Sequence, residues 1–177
     1  MTQPVEIVRT ADLSEERLAA VRALLLDAFG ADFSEDDWQH TLGGWHVIVG
    51  DGQPLAHAAV VQRLLEVDAA VLRSGYVEGV ATAPARQRQG LGVQAMREVG
   101  RLIRSEFELG ALSTSEHGFY ERSGWERWRG PTFVRHGDEL LRTADEDDGI
   151  MVLRVGATVG LDLGQPICCD AREGDDW

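Results

Sequence analysis

The sequence has little of what several classes of protein require. Its two cysteines, Cys168 and Cys169, are neighbours in the chain, and this spacing suits neither an ordinary disulfide framework nor a metal site with four ligands. We therefore expect buried, inert thiols. No window approaches the roughly 18 uninterrupted apolar residues of a membrane span, and the first ten residues lack the layout of a signal peptide. The expectation is a cytoplasmic protein that binds no membrane.

Basic residues are scarce as well. The chain has 30 acidic and 17 basic side chains, which give a net charge of −13 at pH 7, so nucleic acid is a poor partner. The acidic residues gather in three clusters, DFSEDDW at 32–38, DEDD at 145–148 and EGDDW at 173–177. Crowded like charges repel unless they are solvated or face a cation. The clusters therefore indicate either a solubilising surface or a binding site for a polycation.

The pattern of apolar residues predicts one domain over residues 1–177. A chain of 177 residues with 44% hydrophobic residues has room for one full core and no second large domain. Strand-like and helix-like periods alternate in the order β, α, α, β, β, β, α, β, α, β, β, with Ser14 and Ser34 as caps of the first two helices. This order predicts an α+β or α/β fold around one mixed sheet.

The segment RQRQGLG at 86–92 lies between a predicted strand and a predicted long helix. Glycine lets a ligand approach the main chain, and the first amides of a helix point outward, so the segment is typical of a phosphate site. We expect the amides of Gln89, Gly90, Leu91 and Gly92 to face one concavity, with charge added by Arg86 or Arg88. The alternative is a tight turn between strand and helix. A dinucleotide fingerprint fits poorly, because it needs a further downstream glycine.

With Gln87, Gly90 and Gly92 in this strand–loop–helix context, the sequence resembles the GNAT superfamily of acetyl-CoA-dependent N-acetyltransferases. Over nearly the whole chain, the segments DFSEDDWQHTLGG, GYVEGVA, LGALS, GWERWRGPT, DEDDGIMVL and CDAREGDDW resemble, in that order, the aminoglycoside 2'-N-acetyltransferases. The resemblance implies the α+β GNAT fold, a mixed and mostly antiparallel sheet flanked by helices in α/β/α layers. It also implies acetyl-CoA as co-substrate, a homodimer, and transfer to the 2'-amino group of aminoglycosides with resistance as the result.

Charge supports the same acceptor, because an aminoglycoside carries several ammonium groups and requires carboxylates around it. By resemblance, the residues that contact the acceptor are Asp32, Asp37, Ser113, Asp147 and Asp175. Asp36, Asp145 and Asp148 are better interpreted as cap, turn or solvated residues. The five histidines show no paired ligand spacing, so we assign no metal.

Acetyl transfer to an ammonium group requires a proton acceptor, and Glu78 is our candidate. Glu78 lies in the otherwise apolar strand GYVEGVA, where a carboxylate is costly unless it is solvated, paired or used. By resemblance it acts through bridging water, and the alternative is a glutamate on a wet sheet face. Gly79 is expected to let the strand bulge, and Val80 to offer its amide to the pantetheine arm.

The leaving thiolate requires a proton, for which Tyr120 is the candidate, because a phenol is protonated at neutral pH. The alternative is a structural tyrosine, and STSEHGFY is shorter than the aminoglycoside subfamily leads us to expect. Trp177 is expected to dock on the domain, since burying an indole is favourable. By resemblance its carboxylate lies against the acceptor and holds an ammonium group or relays a proton, and the alternative is a frayed acidic tail.

Two other functions stay open from the sequence. The chain is compatible with an acetyltransferase for another polyamine, aminosugar or protein amine. It is also compatible with a non-catalytic module that binds acetyl-CoA or a drug, which would keep the glycine loop but have no need of Glu78 and Tyr120.

Overall fold

We describe the fold from a computed structural model, in which residues 2–177 are described. The chain forms two compact units. The first unit contains Met1–Val61 and Val77–Arg101, and the second contains Gln62–Tyr76 and Leu102–Trp177. The expectation of one domain over residues 1–177 stays a prediction.

The first unit begins with β1 (Val5–Arg9), α1 (Glu15–Phe29), α2 (Glu35–His40) and β2 (Trp45–Val49). It also contains the start of β3 (Ala56–Val67), the end of β4 (Ala70–Thr82) and the start of α3 (Leu91–Glu106). Strand β2 is antiparallel to both β1 and β3. The predicted cap of α1 is confirmed, because the Ser14 side chain accepts a hydrogen bond from the Arg17 amide.

Apolar side chains of α1, α2 and β2 form one core in the first unit. Val21 and Leu25 of α1 are fully buried and pack with Trp38 of α2 and Ile48 of β2. The helical spacing of Val21 and Leu25 puts both on one face of α1, and this face covers the sheet. Helix α2 is thereby fixed against the strands by its indole, with its acidic first turn directed to solvent.

The second unit adds β5 (Leu109–Ser113), α4 (His117–Glu121) and β6 (Glu126–Arg127), and then β7 (Thr132–His136), β8 (Glu139–Arg142), β9 (Ile150–Arg154) and β10 (Ile167–Asp170). With its parts of β3 and β4, the strand order is β6-β9-β5-β4-β3-β10-β7-β8. The pairs β4–β5 and β7–β10 are parallel, whereas β5–β9, β6–β9, β3–β10 and β7–β8 are antiparallel. The predicted α+β class with a mixed, mostly antiparallel sheet is confirmed.

A glycine pair lies under the end of α3 in the second unit. Gly75 of β4 and Gly110 of β5 are partners in the parallel ladder. A Cβ on Gly75 would lie 2.8 Å from Phe107 Cδ2, and one on Gly110 would lie 2.9 Å from Ile103 Cδ1. The missing side chains therefore let the helix end approach the strands closely.

Three strands, β7, β8 and β10, were not predicted from the sequence. The four residues of β8 are all exposed, so the hairpin β7–β8 lacks the apolar alternation that indicates a half-buried strand. The aromatic segment GWERWRG at 124–130 is also typical of a strand, but only Glu126–Arg127 forms one. The indoles on either side, Trp125 and Trp128, are buried.

Burial also decides the state of the two cysteines. Both are free and buried, and burial raises the pKa of the Cys169 thiol to about 12. The prediction of buried thiols is therefore confirmed, and low reactivity stays a prediction, because the thiolate is the reactive form. Within residues 2–177, no helix is both long and apolar enough to cross a membrane.

Candidate active site

Strand β4 leaves the extended conformation at Gly79, next to Glu78. Gly79 has a φ of +55°, a conformation that side chains disfavour. A Cβ here would lie only 2.9 Å from Thr41 Cγ2 at the C-terminal end of α2. Glu78, Gly79 and Val80 are each partly exposed. The predicted distortion at Gly79 is confirmed, and it occurs at the peptide that follows the candidate base.

The loop after β4 has the backbone that an anion site requires. A 3-10 turn at Pro84–Arg86 ends the strand, and buried Leu91 anchors the start of α3. The first helical hydrogen bond runs from the Gln94 amide to the Gly90 carbonyl at 2.9 Å. The amides of residues 91–93 therefore come before the first intrahelical donor and are directed out of the helix start.

The loop leaves room for an anion at Gly90. Gly90 has a φ of +81°, and apart from Gly90 and its two chain neighbours no atom of the described residues lies within 4 Å of the position that a Cβ would take. Open space therefore lies directly before the main chain, as close approach of a phosphate requires. Gln87, Arg88 and Gln89 are exposed, and the Arg86 guanidinium is turned onto Gln89 Oε1 at 3.1 Å.

The acidic cluster at 32–38, in the first unit, also caps helix α2, a role of Asp37 that the sequence analysis did not predict. Asp37 Oδ2 accepts hydrogen bonds at 2.8 Å from both the amide and the hydroxyl of Ser34, and Ser34 Oγ accepts from the Asp37 amide. This reciprocal capping box starts α2. Asp32, in the preceding 3-10 turn, is exposed. Of the two residues in this cluster that are predicted to contact the acceptor, Asp37 is held by hydrogen bonds to Ser34 and Asp32 is exposed.

Asp147 in the second unit is also held by protein groups. Its carboxylate receives Arg142 Nη1 at 2.7 Å and the Thr132 amide at 2.9 Å, and it also pairs with Arg142 Nη2. The hydrogen bond from Arg142, with those from Thr132, lowers the pKa of Asp147 to about 2. Asp147 is thus an ionised anchor between β7, β8 and the acidic segment.

Glu146 is a carboxylate that the sequence analysis did not assign to the site. Burial raises its pKa, and the negative charges of Asp175, Asp145 and Asp176 raise it further. Ser113 belongs to the same group: a Cβ on Gly149 would lie 3.1 Å from Ser113 Oγ and 3.7 Å from Glu146 Oε2. The structure thus brings Ser113 and Asp175 together around Glu146.

The end of the described chain lies on the second unit. Trp177 is buried, and its indole Nε1 donates to Thr143 Oγ1 at 3.2 Å. Arg63 holds the segment before it, donating to the Asp176 carbonyl at 2.7 Å and to the Asp170 carbonyl at 2.8 Å. The predicted docking of Trp177 is confirmed, and the role of its carboxylate stays a prediction.

Tyr120 lies on the short helix α4 and is 8% exposed. Its ring packs edge-on against Phe119 and Trp125, with centroids 4.9 and 6.3 Å away. Burial, and then the charge of Glu116, raise the pKa of Tyr120 to about 12. The phenol is therefore protonated at neutral pH, as a proton donor must be. His117 ties the start of α4 to the Asp148 carbonyl at 2.6 Å.

The described residues contain no group of three or more His, Cys, Asp or Glu side chains placed to hold a metal ion.

Comparison with known proteins identifies the family. Residues 9–128 match the acetyltransferase (GNAT) domain family. An aminoglycoside 2'-N-acetyltransferase from Mycolicibacterium fortuitum is 42% identical to the chain over 176 residues, which cover 97% of this chain and 90% of that protein.

Solved structures share the fold at low identity. A GNAT family N-acetyltransferase from Escherichia coli, in complex with CoA, has a TM-score of 0.69 and 15% identity over 96% of this chain and 90% of that chain. A GNAT family acetyltransferase from Brucella melitensis, in complex with acetyl-CoA, has a TM-score of 0.55 and 19% identity over 86% of this chain and 97% of that chain.

A probable N-acyltransferase from Enterococcus faecalis has a TM-score of 0.60 and 16% identity over 72% of this chain, which spans 33% of that longer protein. The predicted GNAT fold, a mixed sheet flanked by helices, is confirmed by these structures. With the glycine loop after β4, the family match and the relative from Mycolicibacterium, the chain belongs to the GNAT family of acetyltransferases and is an acetyl-CoA-dependent N-acetyltransferase.

Proposed function

We propose that the protein transfers the acetyl group of acetyl-CoA to the 2'-amino group of aminoglycoside antibiotics and thereby confers resistance. The observation that carries the proposal is the cluster of carboxylates around Glu146. Burial raises the pKa of Glu146, and the negative charges of three neighbouring acids raise it further. Such a concentration of negative charge is relieved by a bound polycation. The relative from Mycolicibacterium is itself an aminoglycoside 2'-N-acetyltransferase, which supports the same acceptor here.

Acetyl-CoA supplies an acetyl thioester, and in this proposal the first unit holds it. The loop residues Arg86, Gln87, Arg88, Gln89, Gly90, Leu91 and Gly92 take the pyrophosphate through main-chain amides and the two guanidinium groups. The Val80 amide and the backbone at Gly79 take the pantetheine arm. Positive φ at Gly79 and Gly90 supports both assignments.

Three groups handle protons in the proposed reaction. Glu78 accepts the proton of the acceptor ammonium through water, so that the amine has a free electron pair to attack the thioester carbonyl. Tyr120 protonates the leaving thiolate, in agreement with its raised pKa. The α-carboxylate of Trp177, a residue whose indole is docked on the second unit, holds an ammonium group of the acceptor or relays its proton.

Acidic side chains and the hydroxyl of a serine bind the remaining ammonium groups. Asp32 and Asp37 contribute from the first unit, and Ser113, Asp147 and Asp175 from the second. Glu146 joins this set, because it is partly buried and the negative charges of Asp175, Asp145 and Asp176 act on it. We further propose that the enzyme works in the cytoplasm as a homodimer and binds neither membrane nor nucleic acid.

The test is acetylation of a panel of amines. The protein is incubated with acetyl-CoA and tobramycin, gentamicin, kasugamycin, spermidine or a basic peptide, and products are identified by mass spectrometry and NMR. We expect single acetylation at the 2'-amino group of tobramycin and gentamicin. Preference for spermidine or the peptide would move the acceptor to another amine class, and binding of acetyl-CoA without any product would indicate a non-catalytic module.

Glu78→Gln tests the base within the same assay. The amide has nearly the size of the carboxylate but accepts no proton, so we expect kcat to fall about 100-fold, with the Kd for acetyl-CoA close to wild type. Asp148→Asn is a matched control outside the proposed contacts and is expected to keep its turnover. Unchanged turnover of Glu78→Gln across pH would contradict the role.

A further inference from the structure

Two buried imidazoles of the first unit have no part in the mechanism so far. His46 of β2 and His57 of β3 are both fully buried. In the antiparallel ladder His57 is opposite Ile48, two residues from His46, so the two rings are diagonal neighbours on one face of the sheet. Buried polar rings in an apolar core require hydrogen-bond partners.

Those partners form a chain that ends on the candidate active strand. Thr10 Oγ1 is 2.9 Å from His46 Nε2, and His46 Nδ1 is 2.9 Å from His57 Nε2. His57 Nδ1 is 2.8 Å from the carbonyl oxygen of Gly79. All four residues belong to the first unit.

The Gly79 carbonyl, at one end of this row of hydrogen bonds, fixes which atom donates in each of them. Burial lowers the pKa of His46 to about 4 and that of His57 to about 3, so both rings are neutral at neutral pH. A carbonyl only accepts, so His57 carries its proton on Nδ1 and accepts on Nε2 from His46 Nδ1–H. His46 then accepts on Nε2, and the Thr10 hydroxyl donates to it at 2.9 Å in preference to the Gly44 carbonyl oxygen, which is 3.3 Å from Thr10 Oγ1. Thr10 Oγ1 accepts from the Gly43 amide at 3.1 Å.

This fixed direction has a consequence for the peptide between Gly79 and Val80. In a planar trans peptide the C=O and the following N–H point in opposite directions. A hydrogen bond that holds the Gly79 carbonyl towards the core therefore directs the Val80 N–H away from it. Gly79 itself provides no restraint from a side chain, because it has none and sits at φ +55°.

We propose that His57, held in its Nδ1–H tautomer by His46 and Thr10, is a positioning residue that orients the Gly79–Val80 peptide. It fixes the Val80 amide that takes the pantetheine arm and the backbone next to Glu78. This inference rests on the proposed roles of Glu78 and Val80. It gives His57, His46 and Thr10 a part in positioning the backbone of the candidate active site.

Two substitutions of His57 separate the effect of its hydrogen-bond donor from the effect of its packing. In His57→Asn the amide nitrogen stands as many bonds from the backbone as Nδ1 and still donates to the Gly79 carbonyl. His57→Leu fills similar space but donates nothing. We expect the Kd for acetyl-CoA to weaken about tenfold, the factor for one lost hydrogen bond, and kcat to fall about tenfold or more in His57→Leu. His57→Asn is expected to remain within about threefold of wild type.

The matched control is Val47→Ala, which opens a cavity at a fully buried position of β2 without touching the hydrogen-bonded chain. It lowers the melting temperature but leaves Kd and kcat unchanged at temperatures where the variant is folded. If His57→Leu behaves like Val47→Ala, with lower stability and unchanged Kd and kcat, the positioning role is overturned. Loss of function in His57→Asn equal to that in His57→Leu overturns it as well.

A spectroscopic measurement on the wild-type protein needs neither variant. Long-range ¹H–¹⁵N NMR spectra of protein with labelled histidine distinguish Nδ1–H from Nε2–H imidazoles. We expect both His46 and His57 to carry the proton on Nδ1, and a His57 ring protonated on Nε2 contradicts the proposal. If the wild type binds acetyl-CoA but acetylates no aminoglycoside, the proposed acceptor is wrong, while the affinity and tautomer measurements still decide this inference.

Discussion

Two buried imidazoles make the stability of the protein sensitive to acid. The folded-state pKa values of His46 and His57 are about 4 and about 3, whereas an unfolded histidine titrates near 6.5. Between these values the unfolded chain binds more protons than the folded one. The free energy of unfolding therefore falls as pH drops below about 6.5, by up to about 1.4 kcal/mol per pH unit for each ring.

Urea unfolding between pH 7.5 and 4.5 measures this effect. Carboxylates also titrate at the acid end of the range, so the informative quantity is the difference between wild type and His57→Asn. We expect a shallower pH dependence in the variant, because one of the two rings is gone. Identical slopes would mean that His57 is not neutral in the folded protein.

At the same scale, the sequence predicts which residue types form the site better than it predicts what each one contacts. Glu78 and Gly79 became candidates because a carboxylate and a glycine are unusual in an apolar strand. Glu146 did not, because the cluster DEDD contains four similar acids, and only the fold shows that Glu146 and Asp147 are partly buried while Asp145 and Asp148 are exposed. Arg142 on β8 forms an ion pair with Asp147, and nothing local in the sequence indicates this pairing.

At the scale of elements, α2 combines a structural and a functional requirement on one side chain. Ser34 and Asp37 cap the helix reciprocally, and Asp37 is also proposed to contact the acceptor. Ser34→Ala removes the cap alone and is expected to cost about 1 kcal/mol of stability. Asp37→Asn weakens the cap and also removes the negative charge.

Thermal unfolding and steady-state kinetics on these two variants separate the requirements. If Asp37 binds an ammonium group, Asp37→Asn raises the KM for tobramycin well beyond the change in Ser34→Ala, while both variants lose stability. Equal KM values for tobramycin in the two variants would mean that Asp37 caps the helix and does not bind the acceptor. The KM for acetyl-CoA is the internal control and is expected to stay constant in both.

Elements with a strong local signal were predicted, and those without one were not. Helices α1 and α2 follow caps, and the strands β2, β3 and β4 carry long apolar runs, so composition and period were sufficient. The hairpin β7–β8 has exposed residues throughout β8, and β10 has four residues paired on both sides by distant strands. Such strands are defined by their neighbours in the sheet, and this information is not local.

For the whole molecule, a net charge of −13 attracts a polycation and repels an anionic cofactor. Salt screens charges separated by more than about 10 Å at 0.1 M ionic strength. We therefore expect the Kd for tobramycin to rise steadily between 50 and about 500 mM salt. The Kd for acetyl-CoA is not expected to follow, because its repulsion from the protein is screened at the same time.

Isothermal titration of both ligands across the salt range makes this comparison with one protein preparation. Potassium chloride and potassium acetate serve as paired salts, so that an effect of one anion is recognised. An affinity for tobramycin that is insensitive to salt would separate the acidic composition from acceptor binding.

The glycine pair Gly75 and Gly110 restricts how this enzyme evolves. Any new side chain at either position meets Phe107 or Ile103 at less than 3 Å, and overpacking of this kind costs typically 1–3 kcal/mol. In a library of all single codon changes screened for the proposed acetylation of tobramycin, even alanine should disappear from both positions. Gly90 has open space before it, so a side chain there meets no neighbour, but its φ of +81° still disfavours any residue other than glycine. Survival of bulky residues at Gly75 and Gly110 would show that the helix end yields. These two positions are therefore expected to stay glycine while residues of the exposed acidic clusters change.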